Sequence, residues 1–330
     1  MAVENLLFKL RPVLKERIWG GRRLSKLFGP AEGTLVGPVG ECWALSGHPD
    51  GESLVDSGPF KGMGLYELFK LRPELFGDFS PSDRFPIMVK LIDANEDLSI
   101  QVHPDDRLAG ELGEPDPGKA ECWYVLDCPE GASIVLGHNG DTVGQVTEWI
   151  LEGMWDRLVR RVPIRPGDFV FIPPGTVHSL CAGAFVAEVQ ISSDVTYRLY
   201  DYQRLGPDGS PRQLHVDKAL RALQAPQRPL PKGPMKVHRG DGWEERVFLR
   251  GSPFSVSVVK SKRSISLSAL ESFLCVGVMS GEGRIRWDSQ EISVSTGDHL
   301  VACRGTRFVL EGAVEVLLSS PEGKPAVVCP

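Results

Sequence analysis

The chain has 330 residues, 42% hydrophobic and 24% charged, with 37 Lys+Arg against 43 Asp+Glu and a net charge of −6. That length predicts about two domains, and the apolar fraction is ordinary for a soluble globular protein. The negative balance excludes general attraction to nucleic acid or an anionic membrane, so an anionic substrate would need a local basic cluster, and no apolar run reaches the roughly 18 residues of a membrane span.

Met1 to Leu10 lacks the cationic, apolar and small-residue order of a signal peptide. The seven cysteines are scattered with no CxxC pair, which predicts reduced thiols, neither a disulfide framework nor a thiolate zinc knuckle. A cytoplasmic location follows as the expectation.

In chain order, a first helix is predicted over Leu65 to Leu75, with Leu65, Leu68 and Phe69 on one face. The segment LSIQVHPDD (Leu98 to Asp106) reads as a strand in which Gln101 and His103, two apart, project from one face. Asp105 and Asp106 then complete a turn after Pro104. A second helix is predicted from Val143 to Arg160, with Val146, Trp149, Ile150 and Met154 as its apolar stripe and Asp141 or Thr142 as cap. Strands follow at Ile164 to Ile172 and Phe185 to Ile191, and a short helix starts near Val216. A Pro-rich polar stretch beginning at Gln224 reads as a linker. Beyond it come only strands and turns, including Phe254 to Val259 and Arg307 to Glu311.

The expected plan is mainly β, with two β-barrel or jelly-roll domains. Residues 1–223 form a catalytic domain with helical insertions at about 61–80 and 143–160, 224–243 a linker, and 244–330 a small β domain. An internal echo points to duplication: PIRPGDFVFIPPGTVHSL from Pro163 is similar to SVSTGDHLVACRGTRFVL from Ser293. Both read as strand, Gly-Asp turn, strand, Gly-Thr turn, strand, a hairpin string suited to a closed or sandwiched antiparallel barrel. Where the first copy has His178, the second has Phe308, so the second barrel is expected to be an emptied duplicate.

Gly167, Pro173, Gly175 and His178 form the pattern G-x5-P-x-G-x2-H, which resembles the second signature motif of cupins, whose histidine binds a metal. With Gln101, His103 and Glu121 it makes a Gln-His-Glu-His set. Nitrogen and oxygen donors without thiolate suit zinc, although Mn, Fe and Co accept the same ligands. An amide oxygen is a weak ligand, which makes Gln101 the weakest donor. His48, His138, His215, His238 and His299 have no such partners and read as surface or structural residues.

The runs LIDANEDLSIQVHPDD, GKAECWYVLD, PPGTVHSL and AEVQISSDVTYRLYDYQR, with RIWGGRRL and GECWALSGHP nearer the start, resemble type I mannose-6-phosphate isomerases in their short bacterial or archaeal form. The resemblance covers the first domain nearly end to end. It implies a zinc enzyme, with one ion per chain held by Gln101, His103, Glu121 and His178, that interconverts mannose 6-phosphate and fructose 6-phosphate through a cis-enediol. It further implies that Lys119, Glu188 and Arg198 are active-site residues, and that Ser99, Lys119 and Arg204 lie near the phosphate.

Glu188, Lys119 and a zinc-bound water are all open as the proton-transferring base. Glu188 shares a strand face with Val186 and Gln190; it is partly desolvated if that face points inward, and an ordinary surface carboxylate if it lies on an edge strand. Arg198 stabilises enediolate charge or promotes ring opening, since a guanidinium stays protonated. Arg204 is equally well read as a solvated surface charge. Another cupin enzyme, such as an iron dioxygenase or a glucose-6-phosphate isomerase, and a non-catalytic sugar-phosphate sensor are the competing functions; monomer and homodimer are both open.

Overall fold

The computed structural model describes residues 6–29, 37–206, 208–227 and 232–321, together with the backbone of 327–329. Residues 1–5 of the opening segment and 228–231 of the expected linker lie outside them. As the short apolar runs predict, the chain is mainly β. Among the described residues no helix is long and apolar enough to cross a membrane.

Three sheets organise the strands. Six strands pair in the order Phe169–Ile172, Glu121–Asp127, Phe185–Ile191, Ile87–Asp93, Val39–Leu45 and Val13–Gly21. Five pair in the order Tyr197–Tyr200, Ile100–Val102, His178–Leu180, Ser133–His138 and Val159–Pro163. The third sheet has eleven strands, with Arg307–Pro321 and Leu274–Trp287 paired side by side at its centre. Among the described residues none of these paths returns to its first strand. The closed barrel expected from the hairpin string is therefore corrected to open sheets, and the six- and five-stranded sheets form the sandwiched alternative.

The residues group into two compact units: one comprises 1–13, 43–90 and 233–330, the other 14–42 and 91–232. This grouping is discontinuous in sequence and differs from the contiguous division into 1–223, 224–243 and 244–330. The helix Leu65–Leu71 belongs with the C-terminal strands, and Lys236–Gly240, within the expected linker, is a strand paired with Trp243–Leu249.

The sandwich has two apolar layers, separated by the alternation of strand side chains. Trp123, Val125, Ile172 and Val186 of one sheet pack with Ile134, Leu136 and Leu180 of the other, filling the space between them. On the opposite face of the five-stranded sheet, Ile100, Val102, Val135, Tyr197 and Leu199 pack under helical residues including Leu108, Val146, Trp149 and Ala219. Residues adjacent to Ile100, Val102 and Tyr197 in sequence must then face inward, among them Gln101 and Arg198.

The helices deviate from their predicted spans at identifiable residues. Leu65, Leu68 and Phe69 are buried on one face, but the α-helix stops at Leu71 and Pro73–Leu75 continues as a 3-10 turn, because proline cannot donate and restricts the residue before it. The second helix is capped as expected, the Thr142 hydroxyl accepting from the Gln145 N–H (3.2 Å). It ends at Leu151; Gly153 adopts φ +70° and Met154, predicted in the apolar stripe, is 39% exposed. Asp105 is also a helix cap, its carboxylate accepting from the Leu108 N–H (2.8 Å) at the start of Asp106–Glu111.

The internal echo is present in the glycine turns and in the bonds of the Gly-Asp turn. Gly167 and Gly175 have φ of +89° and +82°, Gly297 and Gly305 of +95° and +85°, a region that glycine alone enters freely. Gly167 donates to the Val125 carbonyl (2.8 Å) and Val125 donates to that of Asp168 (2.9 Å); Gly297 donates to Val278 (2.9 Å) and Val278 to Asp298 (2.8 Å). The carboxylate of Asp168 accepts from the Arg165 N–H, and that of Asp298 from the Ser295 N–H. This register sets Glu121 against Leu274, Trp123 against Val276 and His178 against Phe308. Glu188, opposite Trp123, then matches Leu318, opposite Val276. Leu274, Val276, Phe308 and Leu318 are all members of one apolar core.

In that second copy His299 is buried; its Nδ1–H donates to the Gly297 carbonyl (2.9 Å), and burial pushes its pKa down to about 4 from 6.5. The folded protein holds this imidazole neutral, so its contribution is fully present above pH 6.5 and is lost as pH falls towards about 4. Between pH 7 and pH 5 this costs about 1–2 kcal/mol. His299→Leu is expected to show a smaller shift in urea midpoint between those pH values than the parent; equal shifts in the two proteins would refute the assignment.

Candidate active site and metal centre

One end of the sandwich interior is polar. Gln101 lies opposite His178 in the five-stranded sheet, and Arg198 lies opposite Gln101. In the six-stranded sheet Glu121 is opposite Gln190, and Glu188 is opposite Trp123. The Phe185–Ile191 strand runs between two others, and Glu188 is buried. The reading of Glu188 as a surface carboxylate on an edge strand is thereby excluded.

His103, Glu121 and His178 converge, each offering an atom within 4.8 Å of the others, and all three are essentially inaccessible. Among the described residues they form the one such His/Cys/Asp/Glu group. His103 Nε2 is 3.3 Å from Glu121 Oε2, and His178 Nε2 is 3.2 Å from Glu121 Oε1. Lys119 Nζ approaches Glu121 Oε2 at 3.1 Å. Both nitrogens of His103 and both oxygens of Glu121 nevertheless lack a hydrogen-bond partner of acceptable geometry.

The protonation pattern explains that lack. His178 Nδ1 is 2.9 Å from the Thr176 carbonyl, which can only accept, so Nδ1 carries the proton and Nε2 presents a bare lone pair. That lone pair faces a carboxylate oxygen, an arrangement that repels unless a cation lies between them. Burial, foremost, pushes the His178 pKa down and lowers that of His103 to about 3, so protonation is a poor remedy. Burial alone would raise the Glu121 pKa, but Lys119 and the two imidazoles hold it well below the usual range. The donor set, two neutral imidazoles and one carboxylate with unpartnered atoms, therefore fits a divalent metal.

Gln101 stands beside the trio. Its Nε2 is 3.2 Å from His178 Nε2, and its Oε1 accepts from the Ser99 hydroxyl (3.2 Å). Turning the amide over exchanges these roles and directs the oxygen to the metal side, with Ser99 then accepting. Ser99 is buried and shares the face of Gln101.

Lys119 is also buried, which by itself would lower its pKa, but the carboxylates of Glu121, Glu188 and Asp194 outweigh burial and raise it. Burial, and next Arg212, push the Arg198 pKa down, and its backbone is fixed by His215, whose N–H donates to the Arg198 carbonyl (2.8 Å). Arg204 is engaged elsewhere: it pairs with buried Asp201 (2.5 Å), approaches Glu96 (3.6 Å) and lies over the Tyr202 ring.

Three contributors escaped the sequence reading. Trp123 donates from Nε1 to Glu188 Oε2 (2.8 Å) and meets the His178 ring edge-on at 5.7 Å. Its place two residues after Glu121 on a strand was a usable signal, since period two puts both on one face. Arg212, which holds Asp201 together with Arg204, and the Thr176 carbonyl carry no sequence signal of their own.

Fold and site together define a β-sandwich protein with a metal-capable His/Glu/His group and a paired carboxylate and ammonium beside it. The family profile described as phosphomannose isomerase type I, catalytic domain, matches residues 7–140. Two Bacillus subtilis relatives, YvyI and the mannose-6-phosphate isomerase ManA, are 42% and 40% identical over 94% and 97% of this chain and 97% and 99% of their own. The crystal structure of a mannose 6-phosphate isomerase from Bacillus subtilis superposes with a TM-score of 0.90 at 40% identity, covering 95% of this chain and 99% of that one. The chain belongs to the type I phosphomannose isomerase family, and it is an isomerase.

His103→Ala and His178→Ala are each expected to weaken divalent-metal binding by more than about 100-fold, since loss of an outer-shell partner alone costs 10–100-fold. Metal content after dialysis, read by atomic emission, checks this. The metal-free melting temperature should hold or rise in both variants, because the opposed buried lone pairs are gone; full metal occupancy in either would remove that residue from the ligand set.

Proposed function

We propose that the chain is a zinc-dependent mannose-6-phosphate isomerase, converting mannose 6-phosphate and fructose 6-phosphate into one another through a cis-enediol. The convergence of His103, Glu121 and His178 beside Lys119, in a member of this family, carries the reading. Zinc would be held by those three residues and by the Gln101 amide oxygen, one ion per chain. When bound, zinc polarises the substrate's O1 and O2 and lowers the cost of their developing negative charge by several kcal/mol.

The chain's own groups supply the rest. Aldose–ketose isomerisation takes the proton from C2 and returns it at C1, with the matching transfer between the oxygens. Glu188 is our candidate base: it is a buried carboxylate whose orientation is fixed by the Trp123 N–H. Lys119, next to Glu121 and within the field of Glu188, holds its ammonium against an enediol oxygen or the phosphate. Arg198 stabilises negative charge without giving up its proton. Arg204, which shares the Asp201 carboxylate with Arg212 and lies 3.6 Å from Glu96, and Ser99, whose hydroxyl is on the face of Gln101, are the groups we assign to the phosphate.

A coupled assay for fructose 6-phosphate made from mannose 6-phosphate is expected to show activity that chelation removes and zinc restores. No turnover by metal-loaded protein would move the assignment to another cupin enzyme or a sensor. Arg198→Ala and Glu188→Gln should keep their metal and lose about 10²–10⁴ in kcat. Metal loss in Arg198→Ala, or near-parental kcat in Glu188→Gln, would show the roles to be misassigned.

A further inference from the structure

The sequence predicts a linker from Gln224, yet Gln224–Gln227 is fastened to the turn that precedes the His178 ligand. That turn, Gly175–Val177, already joins the two histidines. Gly175 donates to the His103 carbonyl (2.8 Å), and the Thr176 carbonyl accepts from His178 Nδ1–H (2.9 Å). From the other side a single carboxamide brackets Thr176: Gln227 Nε2 donates to the Gly175 carbonyl (2.6 Å), and Gln227 Oε1 accepts from the Val177 N–H (3.2 Å). A carboxamide has the same donor–acceptor pair as a peptide unit, so Gln227 serves the turn as a neighbouring strand would.

The segment is anchored in turn. Arg160 donates to the carbonyls of Gln227 and His138 (both 2.7 Å), His138 Nε2 donates to the Gln224 carbonyl (2.8 Å), and the Gln224 N–H donates to Gly175 (3.1 Å). The fit is close: a Cβ on Gly175 would lie 2.8 Å from Gln224 Cγ and 2.9 Å from the Ala222 carbonyl.

We infer that Gln227 is a positioning residue for the metal centre, holding the Thr176 carbonyl where it fixes the tautomer and ring orientation of His178 and so presents Nε2 bare to the ion. The inference rests on the metal reading proposed above. Ligating histidines depend on the acceptor at their other nitrogen, and loss of such partners costs 10–100-fold in metal affinity.

The test compares the parent with Gln227→Met, which keeps length and loses both hydrogen bonds, and with Gln224→Ala, which changes an exposed neighbour in the same segment. Zinc affinity is measured by competition with a chromogenic chelator, and melting temperature with and without zinc. Gln227→Met should bind zinc about 10-fold or more weakly, and its zinc-dependent rise in melting temperature should shrink. Gln224→Ala should match the parent in both. Parental affinity in Gln227→Met, or equal losses in the metal-free and zinc-loaded forms that leave the zinc increment intact, would reduce Gln227 to a structural role and overturn the inference. A parent that binds no zinc would overturn the metal reading itself and this inference with it. If Gln227→Met does not fold, Gln227→Glu keeps the acceptor for Val177, loses the donor to Gly175, and is held to the same outcomes.

Discussion

The site depends on one buried carboxylate. Glu121 lies in the sandwich interior with an ammonium on one oxygen and an imidazole near each. Removing such a charge from water costs several kcal/mol even after relaxation, and an ion pair returns that cost only when its remaining lone pairs are satisfied. Here they are not: Lys119 neutralises the charge, while both oxygens lack hydrogen bonds of good geometry. A stable core would replace this cluster with apolar side chains. Its presence marks a place where the sequence serves a ligand rather than the fold.

The surrounding architecture makes that cluster tolerable. Strand alternation sends Ile100, Val102, Tyr197 and Leu199 outward under the helices, and sends Gln101, His103 and Arg198 inward. The same alternation continues the polar end of the interior into an apolar one. Glu121 and Trp123 follow one another on one strand face, and His178 and Leu180 do so on the facing sheet. Trp123 belongs to both regions, since its ring packs in the apolar layer and its N–H holds Glu188.

The convergence of His103, Glu121 and His178 was legible because each part of the pattern is local. Gln101 and His103 are two apart, one within the strand Ile100–Val102 and the other just past its end, and the turns before His178 carry glycines at positive φ, Gly167 and Gly175. The burial of Glu188 was open in the sequence, because a strand's own pattern does not say whether it will be central or at an edge. Arg204 shows the same limit more sharply. Its partners Asp201 and Arg212 stand three and eight residues away, in loops where no periodicity operates, and only the folded chain commits its guanidinium to Asp201. The discontinuous units were equally hidden: pairing such as Leu10 with His299 joins residues 289 apart, and single-strand patterns do not encode partners.

The repeated hairpin separates what the fold requires from what the chemistry requires. Both copies keep the positive-φ glycines and the aspartate that caps its own turn, and both make the same backbone bonds around the Gly-Asp turn. The second copy keeps none of the four site residues: Leu274, Phe308, Leu318 and Val276 stand where Glu121, His178, Glu188 and Trp123 stand in the first. Turn geometry therefore suffices to build the hairpin, and apolar side chains fill its interior without loss of register. The copies differ at one carbonyl: that of Thr306 accepts from the Ala269 N–H (2.8 Å), whereas that of Thr176 accepts from His178 Nδ1–H (2.9 Å). What distinguishes the first copy is the set of groups aimed into the sandwich and the Thr176 carbonyl that orients one of them, with the Gln227 clasp around it.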